Sequence, residues 1–207
     1  MALISVSNNA LSNITALPAA IPTGALTLIK SITASSSASI EFINGTSGVV
    51  LDGTYSSYVF SFINIHPQND AVGFNFNMSI DGGSNYNVVK TTTEFGAFHN
   101  ETDTTQALGY NASNDLAQST SDQRLSSTDL GNGTDECLNG YLQLFNPSSS
   151  TYVKHFISNN AYYQEANYSI ENFVAGYGNT TSAVNAIVFR MSSGNIDDGT
   201  IKLYGVS

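Results

Sequence analysis

The sequence predicts an all-β protein, a jelly-roll-like β-sandwich, and three observations support this. Ser, Thr and Asn supply 70 of the 207 residues while charged residues make up only 11%, a composition that favours turns and strands over helices. Short apolar segments with a period of two alternate with turn-forming residues along most of the chain. About nine such segments occur, a number typical of sandwiches and jelly rolls.

The clearest strand is Gly73–Ile80, where every second residue from Phe74 onward is apolar and Asn or Ser stands between. This alternation predicts a strand that covers a core on one side only. Tyr58–Ile65 is apolar on both faces, as in a central strand. The β-branched segment Tyr86–Thr93 follows an Asp-Gly-Gly turn and is predicted as the hairpin partner of Gly73–Ile80. The other predicted strands are Leu26–Thr33, Ser39–Ile43, Tyr141–Phe145, Tyr152–Ile157, Ala186–Met191 and Thr200–Tyr204.

One sandwich domain is expected over residues 25–207, interrupted by a long polar excursion between residues 100 and 136. The stretch Asn100–Asn132 is acidic and rich in Ser, Thr and Asn, and loops of this length inside a domain tend to be functional or disordered. We expect it to end near Cys137 and to form an exposed contact surface, with a passive insertion as the alternative. The loops around Asp81 and Asp197 are expected to face outward with it.

Residues 1–24 are predicted to form a non-globular N-terminal arm, because they are small and apolar, contain Pro18 and Pro22, and lack a sustained period. Their larger apolar side chains need a surface to cover them. The arm is expected either to pack on its own sandwich or to anchor the chain to a neighbouring subunit or particle. The anchoring side chains would be Leu3, Ile4, Leu11, Ile14, Leu17 and Ile21.

Charge and hydropathy argue against several classes of partner. The formal net charge is −10, which disfavours binding to nucleic acid or to anionic membrane surfaces. No stretch approaches the 18 or more apolar residues of a membrane span. The N-terminus lacks the basic and apolar regions of a secretory signal, so synthesis in a cytoplasm without a signal peptide is expected.

Motifs for catalysis or for a cofactor are not found in the sequence. The three histidines form no metal-binding pair, G-x-S-x-G does not occur, and the lone Cys137 is expected to be a small filler side chain. We therefore predict no catalytic residue, no cofactor and no enzymatic activity. A glycosidase needs two facing carboxylates, but candidates without any specific spacing are supplied by Glu41, Glu94, Glu101, Glu165 and Glu171.

Two kinds of binding site stay open. Calcium is a weak candidate at the acidic turns that contain Asp81, Asp197 and Asp198, although turn chemistry alone explains Asp beside Gly. Sugar rings stack on exposed aromatic side chains, and the tyrosine candidates are Tyr162, Tyr163, Tyr168 and Tyr177. Packing in a core or an interface is the alternative for these tyrosines.

Four segments carry a resemblance to a known group of proteins. They are Leu26–Phe42 (LTLIKSITASSSASIEF), Phe62–Pro67 (FINIHP), Leu144–Phe156 (LFNPSSSTYVKHF) and Met191–Val206 (MSSGNIDDGTIKLYGV). The last segment looks like the ending of a group of uncharacterised virion proteins of marine tailed bacteriophages, and the resemblance covers most of residues 20–206.

The resemblance implies a non-enzymatic structural protein on the exterior of the virion, made in the host cytoplasm. Capsid decoration or another fixed shell or appendage component is the first expectation, with other virion proteins as partners. A tail-fibre or receptor-binding module that contacts host glycans is the alternative, and a glycan depolymerase is the third. A homo-oligomer is expected, with a trimer suggested by fold-level analogy.

Overall fold

The architecture is known from a computed structural model that describes residues 26–207. The predicted N-terminal arm therefore lies outside the described residues, together with its six anchoring candidates Leu3, Ile4, Leu11, Ile14, Leu17 and Ile21. Within residues 26–207 the regular secondary structure consists of twelve strands. These are β1 (Leu26–Thr33), β2 (Ile40–Ile43), β3 (Ser57–Pro67), β4 (Phe74–Ser79), β5 (Lys90–Asn100), β6 (Gln106–Tyr110), β7 (Gln123–Arg124), β8 (Leu138–Phe145), β9 (Lys154–Gln164), β10 (Tyr168–Gly178), β11 (Ala186–Met191) and β12 (Ile196–Val206).

The strands form two antiparallel sheets, which confirms the predicted β-sandwich. The larger sheet has eight strands in the order β1-β12-β3-β8-β9-β10-β5-β6, and the smaller has four in the order β2-β11-β4-β7. The unequal sheets do not by themselves confirm the jelly-roll part of the prediction. Since the small sheet is half as wide, it covers only part of the inner face of the large one.

An aromatic cluster fills the space between the two sheets. Phe189 on β11 lies at its centre, with its ring centroid 5.3 Å from that of Phe60 and 5.2 Å from that of Phe62, both on β3. Phe42 on β2 packs edge-on against Phe60 at 5.3 Å. All four rings are at most 2% exposed. Burial of such large apolar side chains is the main favourable term in holding the sheets together.

The predicted excursion supplies the cover that the small sheet lacks. Its first part forms β6 at the edge of the large sheet, and the part from 111 to 130 crosses the inner face beside β5. Lys90 and Ser119 exchange two main-chain hydrogen bonds of 2.7 and 3.0 Å, and the Thr92 N–H donates to Leu116 O at 2.9 Å. The segment is therefore a structural layer as well as a surface.

The strand predictions need three corrections. Tyr86–Thr93 is not the hairpin partner of Gly73–Ile80, because β5 begins at Lys90 and pairs with β10 and β6, whereas β4 pairs with β11 and β7. Every residue of β4 is buried, so its Asn and Ser face is not solvent-exposed as predicted. The whole of β10 was missed; it lies between β9 and β5 and completes the large sheet.

Candidate functional site

The candidate site is the outer face of the large sheet, defined as the side chains that point away from the small sheet. The register places Tyr141 of β8, Asn159 of β9, Phe173 of β10, Phe95 of β5 and Tyr110 of β6 in one row across five strands. None of these side chains is ionised at neutral pH. An uncharged row with four aromatic rings is unusual for a surface that faces water.

The centre of this face is a shallow groove of about 300 Å³. The rings of Phe95 and Phe173 are stacked in parallel, with centroids 5.0 Å apart and an interplanar angle of 9°. Phe95 is 44% exposed, and Ile157 and Tyr141 on the other side of the groove are 40% and 38% exposed. The sheet holds these side chains outward because alternate residues of a strand point to opposite faces.

A second groove of about 330 Å³ adjoins the first and shares Thr93, Ile157 and Ala175 with it. His155 and Tyr177 stand side by side at its far end, with ring centroids 5.9 Å apart. His155 points out of the sheet. The two grooves together make a continuous apolar surface over β8, β9, β10 and β5, which can accept a flat apolar partner or planar rings.

The inner face below this surface carries several buried polar side chains beside the apolar core. The Glu94 carboxylate is fully buried, and its Oε1 accepts hydrogen bonds from the amides of Asn111 (3.3 Å) and Asn114 (3.2 Å). Its Oε2 and the amide oxygens of Asn160 and Asn172 have no hydrogen-bond partner among the described residues. Burial raises the pKa of Glu94 to about 7, against the opposing effects of the amide donors and of Arg124. Glu94 is a proton-binding group near neutral pH that attaches the excursion to β5.

Lys90 lies four residues before Glu94 on β5, and its side chain is also fully buried. Its Nζ donates to Asn77 Oδ1 at 2.6 Å and to Val88 O at 2.8 Å. Burial lowers its pKa to about 8, and the nearby Asp122 carboxylate acts in the opposite direction. Asp122 in turn accepts two hydrogen bonds from the Arg190 guanidinium, at 2.7 and 2.8 Å. These contacts hold the excursion against β4 and β11.

The tyrosines proposed for glycan contact do not form one site. Tyr162 is 5% exposed and points inward, where the Thr128 N–H donates to its hydroxyl at 2.8 Å, so the expectation of glycan contact is wrong for this residue. Tyr168 packs against Phe98, with centroids 5.7 Å apart. The Tyr163 hydroxyl donates to Glu101 at 2.9 Å. Only Tyr177 belongs to the apolar surface of the outer face.

The acidic turns proposed for calcium are also separated. The Asp81 carboxylate is satisfied by its own turn, since the Ser79 hydroxyl and the Asn85 main chain and side chain donate to it and lower its pKa to about 2. Asp197 and Asp198 line a groove of about 500 Å³ with Asp135, Glu136 and His66. Among residues 26–207, no three His, Cys, Asp or Glu side chains are grouped so that they could hold a metal ion.

The acids named for a glycosidase differ in environment. Glu94 is buried beneath the excursion, whereas Glu41, Glu101, Glu165 and Glu171 are exposed. Glu41 lies on the small sheet and Glu171 on the outer face of the large one. The structure therefore does not bring these five carboxylates into one cleft.

Comparison with known proteins adds no relative: no family model, curated protein or solved structure matches the chain. The part of the chain described by the structure has no helix that is long and apolar enough to cross a membrane.

Of the residues that line the grooves, the sequence analysis named Tyr177 as a candidate and missed Phe95 and Phe173. The predicted strand ends at Thr93, two residues before Phe95, and Phe173 lies in β10, which the sequence does not predict. The alternation of Tyr168, Ile170, Asn172 and Val174 was the available signal, but the buried Asn172 interrupts its apolar face. Sequence could not show that Phe95 and Phe173 lie on adjacent strands.

Proposed function

We propose that this chain is a non-enzymatic structural protein of a bacteriophage virion, displayed on the particle exterior as a capsid decoration or another fixed shell or appendage component. The observation that carries the proposal is the uncharged row of Tyr141, Asn159, Phe173 and Phe95 on the outer face, with the apolar grooves beside it. Glu171 lies next to the row on β10, where its carboxylate accepts from the Asn159 amide at 3.3 Å. The resemblance of four segments to phage virion proteins is the reason to propose a phage virion as the assembly. A monomeric protein gains nothing from an exposed aromatic row, whereas a subunit covers it on assembly.

The distribution of charge supports an assembly role. The chain has a net charge of −10, yet the row from Tyr141 to Tyr110 contains no carboxylate. Depletion of charged residues and enrichment of aromatic residues are typical of the core of a protein–protein interface. Another shell protein or a second copy of this chain would fit this surface.

The proposal is tested by the composition of purified particles. Tagged wild-type chain and the variant Phe173→Asp are supplied separately during infection, and each is quantified against the major capsid protein by mass spectrometry and located by electron microscopy. We expect tens to hundreds of wild-type copies per particle and at least about a tenfold loss for the variant, because a charge would be buried in the interface. Glu165→Asp, an exposed conservative change in a turn, serves as the control and is expected to be incorporated normally.

Two outcomes would contradict the proposal. Absence of the chain from particles excludes a virion role. A handful of copies at the tail, together with saccharide binding that Tyr177→Ala removes, favours the alternative of a receptor-binding module, since Tyr177 is the one proposed glycan-contact tyrosine on the apolar surface.

A further inference from the structure

The free edge of β6 differs from the other three sheet edges of the described chain. Edge strands expose unpaired main-chain groups and usually carry a feature that prevents pairing with another chain. The opposite edge of the large sheet, β1, has a bulge between Leu28 and Lys30 and the charge of Lys30. The edges of the small sheet are short, with four residues in β2 and two in β7.

β6 is also short, at five residues, but it lacks the bulge and the charge that protect β1. Its sequence QALGY contains no charge and no proline, its register with β5 is continuous, and all five residues are exposed. Leu108, at 75%, is the most exposed large apolar side chain of the described residues. Tyr110, at 58%, comes third after Tyr152 at 70%. Such an edge is suited to receive another strand.

The hydrogen-bonding pattern shows which groups are available. The Asn111 N–H donates to Glu94 O, and the Asn100 N–H donates to Thr105 O. Since bonded and non-bonded pairs alternate along an antiparallel ladder, Ala107 and Gly109 direct their main-chain groups to β5. The main-chain N–H and C=O groups of Gln106, Leu108 and Tyr110 therefore point away from the sheet.

We propose that two copies of this chain pair through β6, antiparallel about a two-fold axis at Leu108. In this register Leu108 faces Leu108 of the second copy, and Gln106 faces Tyr110 in both directions. Every edge-directed N–H then meets a C=O, which gives about six hydrogen bonds between the strands. The register is self-complementary, as a two-fold interface requires.

The side chains also fit a second copy. Leu108 and Tyr110 lie on the outer face beside Ala97 and Phe95, so pairing would place two leucines in contact and would join the apolar outer faces of both copies into one surface. β6 carries no charge, and cross-strand apolar pairs stabilise a sheet. The pairing concerns the isolated chain and does not depend on the proposed virion role.

The proposed pairing is tested at Leu108, because this residue faces its own copy across the two-fold axis. The molar mass of the full-length wild-type chain is measured by sedimentation at concentrations up to about 100 µM, the range for a short interface, and a dimer of the 22.0 kDa chain is expected. Leu108→Lys and Leu108→Glu are each expected to be monomeric, because like charges would face each other on the axis. An equimolar mixture of the two is expected to restore a dimer that contains one copy of each.

Mixing Leu108→Lys with Leu108→Glu distinguishes pairing at Leu108 from dimerisation through another surface. Only a site that faces itself is rescued by mixing opposite charges at the same residue, and native mass spectrometry reads the composition of the dimer directly. Ser31→Lys on the β1 edge is the matched control and is expected to leave the dimer intact. A monomeric wild-type chain, dimers of Leu108→Lys alone, or a mixture that stays monomeric although circular dichroism shows both variants folded would overturn the proposal.

Discussion

At the scale of single residues, the unusual feature is the burial of ionisable groups in a chain with few charges. Glu94 and Lys90 are both fully buried on β5, and each is held by amide or carbonyl groups instead of by a direct ion pair. Desolvation destabilises the charged form of each group, so burial moves the two pKa values toward neutrality from opposite sides. Both groups therefore link the stability of the fold to pH.

Glu94→Gln tests the link between protonation of Glu94 and the stability of the fold. The pKa of Glu94 rises from 4.5 in the unfolded chain to about 7 in the fold, so the native state binds the extra proton and stability falls as pH rises between these values. We expect Glu94→Gln to be more stable than wild type at pH 8 by an amount on the order of 3 kcal/mol, and the difference to shrink toward pH 4. Urea unfolding at several pH values measures it.

The substitution is well matched to the site. The Gln oxygen can accept from Asn111 and Asn114 as Oε1 does, and its amide nitrogen replaces Oε2, which has no hydrogen-bond donor among the described residues. Glu165→Gln, at an exposed turn position, is the control. A Glu94→Gln difference that does not change between pH 5 and pH 8 would show that Glu94 is ionised in the native state throughout.

At the scale of elements, the burial of a strand depends on what covers each of its two faces. The Asn and Ser face of β4 predicts a half-exposed strand, but that face is buried. Asn77 contacts Lys90 and Asp122, and the Ser79 hydroxyl donates to Asp81 in the following turn. The excursion looked like a surface loop because its own apolar content is low. It packs Leu125 and Leu130 into the core and is attached to β5 by hydrogen bonds, which a pattern based on hydrophobicity does not detect.

Thr92 tests this attachment of the excursion to β5. Its hydroxyl donates to Gln123 Oε1 at 2.6 Å and accepts from the Leu116 N–H at 2.8 Å. Thr92→Val keeps the shape and removes both bonds, which leaves the buried Gln123 Oε1 and the partly buried Leu116 N–H without these partners. We expect a loss of about 2 to 4 kcal/mol in the free energy of unfolding. Denaturant unfolding measures this loss.

The neighbouring residue provides the control. Thr93 lies on the same strand but is exposed on the outer face, so Thr93→Val is expected to change stability by less than about 0.5 kcal/mol. Equal effects of the two substitutions would mean that the excursion does not depend on these bonds.

At the scale of the whole molecule, the acidic residues are concentrated in the loops that join the strands. Only five of the 16 acidic residues lie in strands, and the others lie in loops. The five are Glu41, Glu94, Glu171, Asp197 and Asp198. Glu101, Asp103 and Asp115 flank the two ends of β6, so two copies that pair there would bring these carboxylates toward each other.

The dimer formed through β6 is expected to depend on salt concentration. Screening of like charges should strengthen the dimer, and we expect its dissociation constant to fall several-fold between about 20 mM and about 500 mM NaCl. Sedimentation at both salt concentrations measures it. Weakening of the dimer by salt would show that attractive ion pairs hold it, and would contradict an apolar main-chain contact at Leu108.

The sequence by itself determined the all-β class and the approximate position of most strands, because the two-residue period and the turn residues are local properties. β10 escaped detection since its inward face carries Asn172. Only the tertiary structure decided that β5 joins the large sheet, that Glu94 and Lys90 are buried, and that Phe95 and Phe173 stack on the outer face. Each of these depends on contacts between residues far apart in the chain, and the hydrophobic pattern of one strand does not specify its neighbour.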